Sequence, residues 1–361
     1  MSIPIASPEL GIGALGDVIE TVEGARLADG PPVRAFEAAF ADYCGRTHGI
    51  ATSNGTTALH AALRGLEIGP GDTVVTTPFS FVATANAIRL CGADPAFADV
   101  DPRTLNIDPD AVRAAIEVCD GDVDAILAVH LYGLPAEMDE LREIAEENGI
   151  PLIEDAAQAH GASYRGDPVG SLGDVACFSF YPTKNITTGE GGIVVTDDSE
   201  VADRVARFIN HGRSGRYDHD IVGHNFRLTS IGAAIGSQQL RRLDDFVEIR
   251  RRNAAAYDRA LADHPSVSAP IEPSGTHHAY HQYTVQCSAR AALQEHLADA
   301  DVDTGVYYPT PIHRQPAYAD VEADAPEAER AADRVLSVPV HPTLNRSEVR
   351  AIADALAGFE P

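Results

Sequence analysis

From Asp72 onward, short apolar runs alternate with longer stretches whose apolar residues recur three and four apart. Residues 74–76, 96–99, 125–129, 151–154, 175–180 and 193–196 read as strands, and 83–90, 109–118 and 137–148 read as helices. That alternation predicts βαβ units, hence an α/β fold with a mostly parallel sheet covered on both faces. Upstream, 33–43 reads as an amphipathic helix with Phe36, Ala39 and Phe40 on one face, and 53–66 as a helix behind small capping residues. Downstream, 199–210 is helical and 230–261 reads as one long helical run. Residues 265–274 look like a boundary, followed by a strand at 280–286, a helix at 291–300, a Pro-rich loop and a terminal helix at 347–357. Residues 1–30 form a loosely patterned lead-in ending in the turn D-G-P-P. The expected division is a large domain, 1–245, and a small α/β domain, 246–361.

In such sheets, functional residues gather beyond the carboxyl ends of the strands. Phe79 and Phe81 follow the 74–76 run, His130 follows 125–129, and Asp155, Gln158 and His160 follow 151–154.

Composition narrows the class. The apolar runs are strand-sized, far below the roughly 20 residues that span a bilayer, and the start M-S-I-P-I-A-S-P-E-L lacks a basic, then apolar, leader pattern. Five scattered cysteines without a C-x-x-C pair predict reduced thiols in a cytoplasm and no metal site. The 54 acids against 27 bases give a net charge of −27, which speaks against nucleic acid or an anionic membrane as partner. Such an acidic chain suits a saline cytoplasm, where a Debye length of about 3 Å at 1 M salt screens self-repulsion; a halophilic source is expected.

The charge bias also exposes one residue. Of the 27 basic side chains only Lys184 is a lysine. Arginine replaces lysine in most surface roles, but it neither loses a proton nor attacks a carbonyl. A lysine amine forms Schiff bases. Chance survival of one surface lysine is the plain alternative. A site of the pyridoxal phosphate type needs three further parts, and the chain has a candidate for each. Asp155 would keep the pyridine nitrogen protonated, Gly55, Thr56 and Ser179 would offer phosphate donors, and Phe81 would cover the ring face. Each also has an ordinary reading: Asp155 as a helix cap, the 53–66 start as a plain N-cap, Ser179 as a strand polar residue, Phe81 as core.

Longer stretches carry a resemblance. S-N-G-T-T-A-L-H, G-P-G-D-T-V-V-T-T-P-F-S-F-V-A-T-A-N-A-I, V-H-L-Y-G-L-P-A-E-M-D, I-E-D-A-A-Q-A-H-G-A, F-S-F-Y-P-T-K-N-I-T-T-G-E-G-G, N-H-G-R, H-N-F-R-L and P-I-H-R-Q-P-A-Y resemble the DegT/DnrJ/StrS family of sugar-nucleotide aminotransferases. The resemblance implies the fold-type I architecture of aspartate aminotransferase, with a central, mostly parallel seven-stranded sheet and a smaller C-terminal domain. It implies Lys184 as the Schiff-base lysine and general acid/base, Asp155 beneath the pyridine nitrogen and Gln158 near the ring's 3-hydroxyl. Gly55, Thr56 and Ser179 would bind phosphate, and Phe81 would stack on the ring. Asn225 would reach the phosphate held by a neighbouring subunit, so an obligate homodimer with shared sites is expected. His160 and His313 would lie near substrate. Relatives with histidine in place of the lysine act as ketosugar dehydratases, so Lys184 points to amine transfer from L-glutamate to a nucleotide-linked keto-sugar. An aminocyclitol-type aminotransferase, a dehydratase and a non-catalytic regulatory protein are the competing outcomes. Substrate choice would sit in loops 212–223 and 307–315, whose Arg213, Arg216 and Arg314 either meet a diphosphate or form a solvated face.

Overall fold

A computed structural model describes residues 2–11 and 13–361. The strands are β1 (His48–Thr52), β2 (Thr73–Thr76), β3 (Asp94–Phe97), β4 (Ala125–Val129), β5 (Leu152–Asp155), β6 (Ser163–Tyr164) and β7 (Asp167–Pro168). They continue with β8 (Val175–Ser179), β9 (Gly192–Thr196), β10 (Val267–Ser268), β11 (Thr276–His277), β12 (Tyr283–Cys287) and β13 (Val335–Val338). The helices are α1 (Gly13–Glu23), α2 (Pro31–Tyr43), α3 (Gly55–Gly65), α4 (Ala83–Cys91), α5 (Pro109–Val118) and α6 (Met138–Asn148). After them come α7 (Ser199–Phe208), α8 (Ser230–Leu240), α9 (Leu243–Leu261), α10 (Arg290–Asp299), α11 (Pro326–Arg334) and α12 (Arg346–Ala357).

Seven strands form the main sheet in the order β1-β9-β8-β5-β4-β2-β3, and β9 alone runs against its neighbours. Side chains alternate strictly across it. On β4, Ile126 and Ala128 enter the core built with α2, α5 and α6, whereas Ala125 and Leu127 enter the one beneath α3, α4 and α7. Phe36 and Phe40 of α2 are wholly buried in the first core, and each contributes on the order of 2 kcal/mol of burial. A third core joins α9, α10 and α12 to the antiparallel sheet β10-β12-β13. Helix α9 links the cores: Leu243, Phe246 and Val247 pack in the first, Ala254, Tyr257 and Leu261 in the third.

The strand–helix alternation read from the sequence stands, with shifts. The strand expected at 96–99 lies at Asp94–Phe97, set by register with β2, where Thr73 pairs Asp94. The run expected as one helix over 230–261 is two, α8 and α9, separated at Arg241–Arg242. The lead-in is not loose throughout. It holds α1 and a bridge from Ile3 to Val302 of the third core.

Candidate active site

Residues Glu154 and Asp155 are consecutive at the carboxyl end of β5, so they face opposite sides of the sheet. Glu154 is wholly buried and fully engaged. Its Oε2 accepts from His130 Nε2 at 3.0 Å and from Gly170 N–H at 2.8 Å; its Oε1 accepts from Leu172 and Gly173 N–H, both at 2.8 Å. His130 Nδ1 accepts from Ala136 N–H at 3.1 Å, so the ring proton sits on Nε2 and points at the carboxylate. Burial alone would raise the Glu154 pKa, but the His130 and backbone hydrogen bonds bring it below the ordinary value. His130, singled out at a strand end, therefore serves the scaffold.

Asp155 is treated differently. It is 4% exposed, and among the described residues its carboxylate accepts from Thr84 Oγ1 at 2.7 Å and Ala157 N–H at 3.2 Å. Burial wins here: the pKa is raised, against the Thr84 and Ala157 hydrogen bonds and the charge of Lys184. A buried carboxylate with spare acceptor capacity is suited to a cationic partner.

Lys184 sits in the connection from β8 to β9, its N–H bonded to Tyr181 O at 2.9 Å. The residue is half-buried overall, yet burial around the amine pushes its pKa down to about 8, with the Asp155 charge opposing the shift. An amine so placed is far more often neutral at working pH than an ordinary lysine. His160 is 1% exposed among Phe40, Phe178 and Phe180, and among the described residues neither ring nitrogen has a hydrogen-bond partner of good geometry. Burial first and the Lys184 charge second push it down to about 3, so it stays neutral beside the lysine.

The start of α3 faces β8. Asn54 Oδ1 accepts from Thr57 N–H at 2.9 Å, and Thr57 Oγ1 accepts from Asn54 N–H at 3.1 Å. This reciprocal cap leaves the N–H groups of Gly55 and Thr56 without an acceptor among the described residues. A Cβ on Gly55 would come within 2.7 Å of Ser179 Cβ. Only glycine therefore lets the helix start and the Ser179 hydroxyl share one concave, positively polarised spot.

Above the strand ends lies an aromatic wall. Phe81 is 55% exposed, an unusual state for a large apolar ring, and its centroid stands 5.9 Å from that of Tyr308 at 36°. Gln158 Nε2 donates to Tyr308 Oη at 3.1 Å, while its Oε1 accepts from Tyr132 N–H at 2.6 Å. Tyr132 and Gly133 both have positive φ, 59° and 98°, and a Cβ on Gly133 would crowd His281 N and Gln158 O at 2.9 and 3.1 Å. The amide of Gln158 is thus fixed, its oxygen on Tyr132 N–H and its nitrogen on Tyr308 Oη. Thr84, Tyr132 and Tyr308 were not anticipated from the sequence. The only hint was a hydroxyl pair four apart, Ser80 and Thr84, on the segment carrying Phe81.

Among the described residues the other candidates make no hydrogen bond to Lys184, Asp155, Gly55 or Ser179. Asn225 is exposed, its Oδ1 accepting from Arg227 Nε and Nη2 at 3.0 and 2.7 Å. Arg213 is exposed in the 211–223 loop. Arg314 is paired with Glu329 at 2.5 Å. His313 is buried and bonds Glu329 Oε1 at 2.9 Å, on a turn held to the Phe81 segment by Ile312 N–H to Pro78 O at 2.8 Å. A cavity of about 690 Å³ opens at the amino ends of β5 and β8, between Arg46, Arg142, Asp174 and Asp197. Arg46 there is consumed by Gly170 O, Gly173 O and Asp197, so this cavity has none of the chemistry just described. Among the described residues no group of three or more His, Cys, Asp or Glu is arranged to hold a metal ion, and no helix is long and apolar enough to cross a membrane.

Comparison with known proteins adds an independent line. The model of the DegT/DnrJ/EryC1/StrS aminotransferase family matches residues 12–357. A UDP-N-acetyl-3-dehydro-alpha-D-glucosamine 3-aminotransferase from Acidithiobacillus ferrooxidans is 40% identical, covering 98% of this chain and 97% of that relative. A Geobacillus stearothermophilus relative named Pleiotropic regulatory protein is 42% identical, covering 94% and 92%. The X-ray structure of DesV from Streptomyces venezuelae superposes with a TM-score of 0.92 at 39% identity, covering 95% of this chain and 93% of that one.

Proposed function

The chain belongs to the DegT/DnrJ/EryC1/StrS aminotransferase family, and we propose that it moves the amino group of L-glutamate onto a nucleotide-linked keto-sugar. It is a pyridoxal phosphate-dependent sugar-nucleotide aminotransferase with the fold of that enzyme class. The observation that carries the reading for this chain is a buried lysine amine, Lys184, and a buried carboxylate, Asp155, close enough for each charge to act on the other, together with the Gly55–Ser179 cradle.

The residues fit the cofactor. The phosphate matches the free N–H groups of Gly55 and Thr56 with the Ser179 hydroxyl, a spot that a Cβ at position 55 would fill. The pyridine nitrogen matches Asp155, the 3-oxygen matches the amide N–H that Gln158 does not give to Tyr308, and the ring face matches exposed Phe81. When bound, pyridoxal phosphate supplies an aldehyde that captures amines and a ring that accepts their electrons. The protein does the rest. Asp155 holds the ring-nitrogen proton. With the cofactor held there, Lys184 Nζ would accept the α-proton of the bound donor amine and would give a proton back in the reverse half-reaction. Its pKa near 8 suits both tasks. With this machinery intact, a purely regulatory role is the weaker reading, whatever the name of the Geobacillus relative.

Three finer points belong to the same proposal. The protein is a homodimer with shared sites, supported by the exposed Asn225 and by the apolar side chains Leu15, Ile19 and Val22 left on the outside of α1. The two domains divide near residue 245, with α9 running across the division. The enzyme works in a saline cytoplasm, in keeping with its net charge of −27.

Reconstituted protein should show visible absorbance that borohydride bleaches and Lys184→Ala lacks, and glutamate should aminate one of a panel of keto-sugar nucleotides, read by mass. Absence of the chromophore in wild type would defeat the enzyme reading. A mixture of Lys184→Ala and Asn225→Ala proteins should regain activity if sites are shared, and no regain would refute the sharing.

A further inference from the structure

We propose that Thr84 is a positioning residue for this reaction: its hydroxyl, polarised by Ser80, fixes the Asp155 carboxylate in the ionised state and orientation that a protonated ring nitrogen needs. The inference rests on the cofactor reading above and adds residues to it.

Thr84 Oγ1 lies 2.7 Å from Asp155 Oδ2 and 2.9 Å from Ser80 Oγ, and the three residues are 1%, 4% and 4% exposed respectively. An ionised carboxylate only accepts, so the single Thr84 proton must point to Asp155. Thr84 oxygen is then left to accept from Ser80. The chain has one direction, Ser80 to Thr84 to Asp155, and hydroxyl dipoles aligned in a dry site reinforce one another. The other donor to the carboxylate, Ala157 N–H, is long at 3.2 Å and reaches Oδ1. Thr84 therefore supplies the short bond that holds the carboxylate's rotation, leaving capacity on Oδ1.

Placement argues for more than packing. Thr84 stands on α4, whose N-terminal approach carries Phe81, and Thr84 N–H bonds Phe81 O at 3.2 Å. One crossover thus covers the ring face and restrains the carboxylate that receives the ring nitrogen. The remaining titratable groups around Asp155 are Lys184 from the β8–β9 connection, His130 at the end of β4, Cys177 on β8 and Tyr308. Among the described residues none of them hydrogen-bonds its carboxylate.

The test is binding of pyridoxal phosphate to cofactor-free wild type, Thr84→Val and Thr84→Ser across acidic to neutral pH, followed by absorbance. Binding weakens on acidification once Asp155 takes up a proton. Without the hydroxyl the ionised form is less favoured, so protonation occurs at higher pH. Thr84→Val should bind about tenfold more weakly at neutral pH, with its acid limb displaced toward neutral. Thr84→Ser should track wild type, and Ser80→Ala should show a smaller displacement in the same direction. A Thr84→Val profile lowered equally at every pH, or Thr84→Ser indistinguishable from Thr84→Val, would overturn the proposal. If Thr84→Val does not fold, Thr84→Cys, which keeps the volume with a much weaker donor, is judged by the same criterion. Wild type that binds no pyridoxal phosphate would instead sink the cofactor reading itself.

Discussion

Glu154 and Asp155 are neighbours on one strand, both carboxylates and both buried, yet the protein treats them as opposites. Glu154 faces the side where the 170–173 loop wraps it, and His130 and three backbone N–H groups satisfy it. Asp155 faces α4 and meets one short hydroxyl, one long N–H and a lysine charge. A saturated buried charge holds loops together, and an under-satisfied one waits for a ligand.

The largest expected contrast is in activity. Asp155→Asn keeps the shape and removes the charge, so amine transfer should fall on the order of 10²–10³-fold, with thermal stability at neutral pH held or raised. Glu154→Gln should leave activity per folded molecule near wild type. Comparable activity losses for the two, measured with matched cofactor loading, would erase the distinction.

The second contrast is in stability. Glu154→Gln leaves an amide N–H₂ facing donors that need an acceptor, at a cost of about 3 kcal/mol in urea unfolding. The 170–173 loop should also lose hydrogen-exchange protection. An unchanged unfolding midpoint would show that the loop is held by something else.

These opposite roles were half legible in the sequence. Alternation of apolar runs and capped helices gave the βαβ order, because both faces of a covered sheet demand apolar residues. Strand β1 was missed: it pairs antiparallel with β9, His48 against Thr196, a partner far away in sequence. The break between α8 and α9 was missed because neither Gly nor Pro marks it. At the site, Lys184 stood out by composition, and Gly55, Ser179 and Asp155 by position after strands or before a helix. Thr84 did not, since its role depends on α4 lying over the end of β5. Phe81 was picked for the ring face over Phe79, with a core position as its ordinary alternative. Phe79 is buried and Phe81 exposed. The limit met at Thr84 also applied to His130, which shares a strand-end position with catalytic candidates but turns to the Glu154 side.

The smallest effect is a pH dependence of opposite sign. Glu154 has its folded pKa lowered, so its stabilisation is fully present above its unfolded value near 4.5 and is lost as pH falls through the lower folded value. The cost of Glu154→Gln should therefore shrink on acidification. Asp155 has its folded pKa raised, so its ionised form burdens the fold above that value, and the burden lifts as pH falls toward the unfolded value near 3.8. Any gain from Asp155→Asn at neutral pH should vanish in acid. Urea midpoints of both variants and wild type, cofactor-free, at neutral and acidic pH should converge from opposite sides. If both differences instead change in the same direction, the two faces of β5 do not hold their charges in the contrasting states that their hydrogen bonds imply.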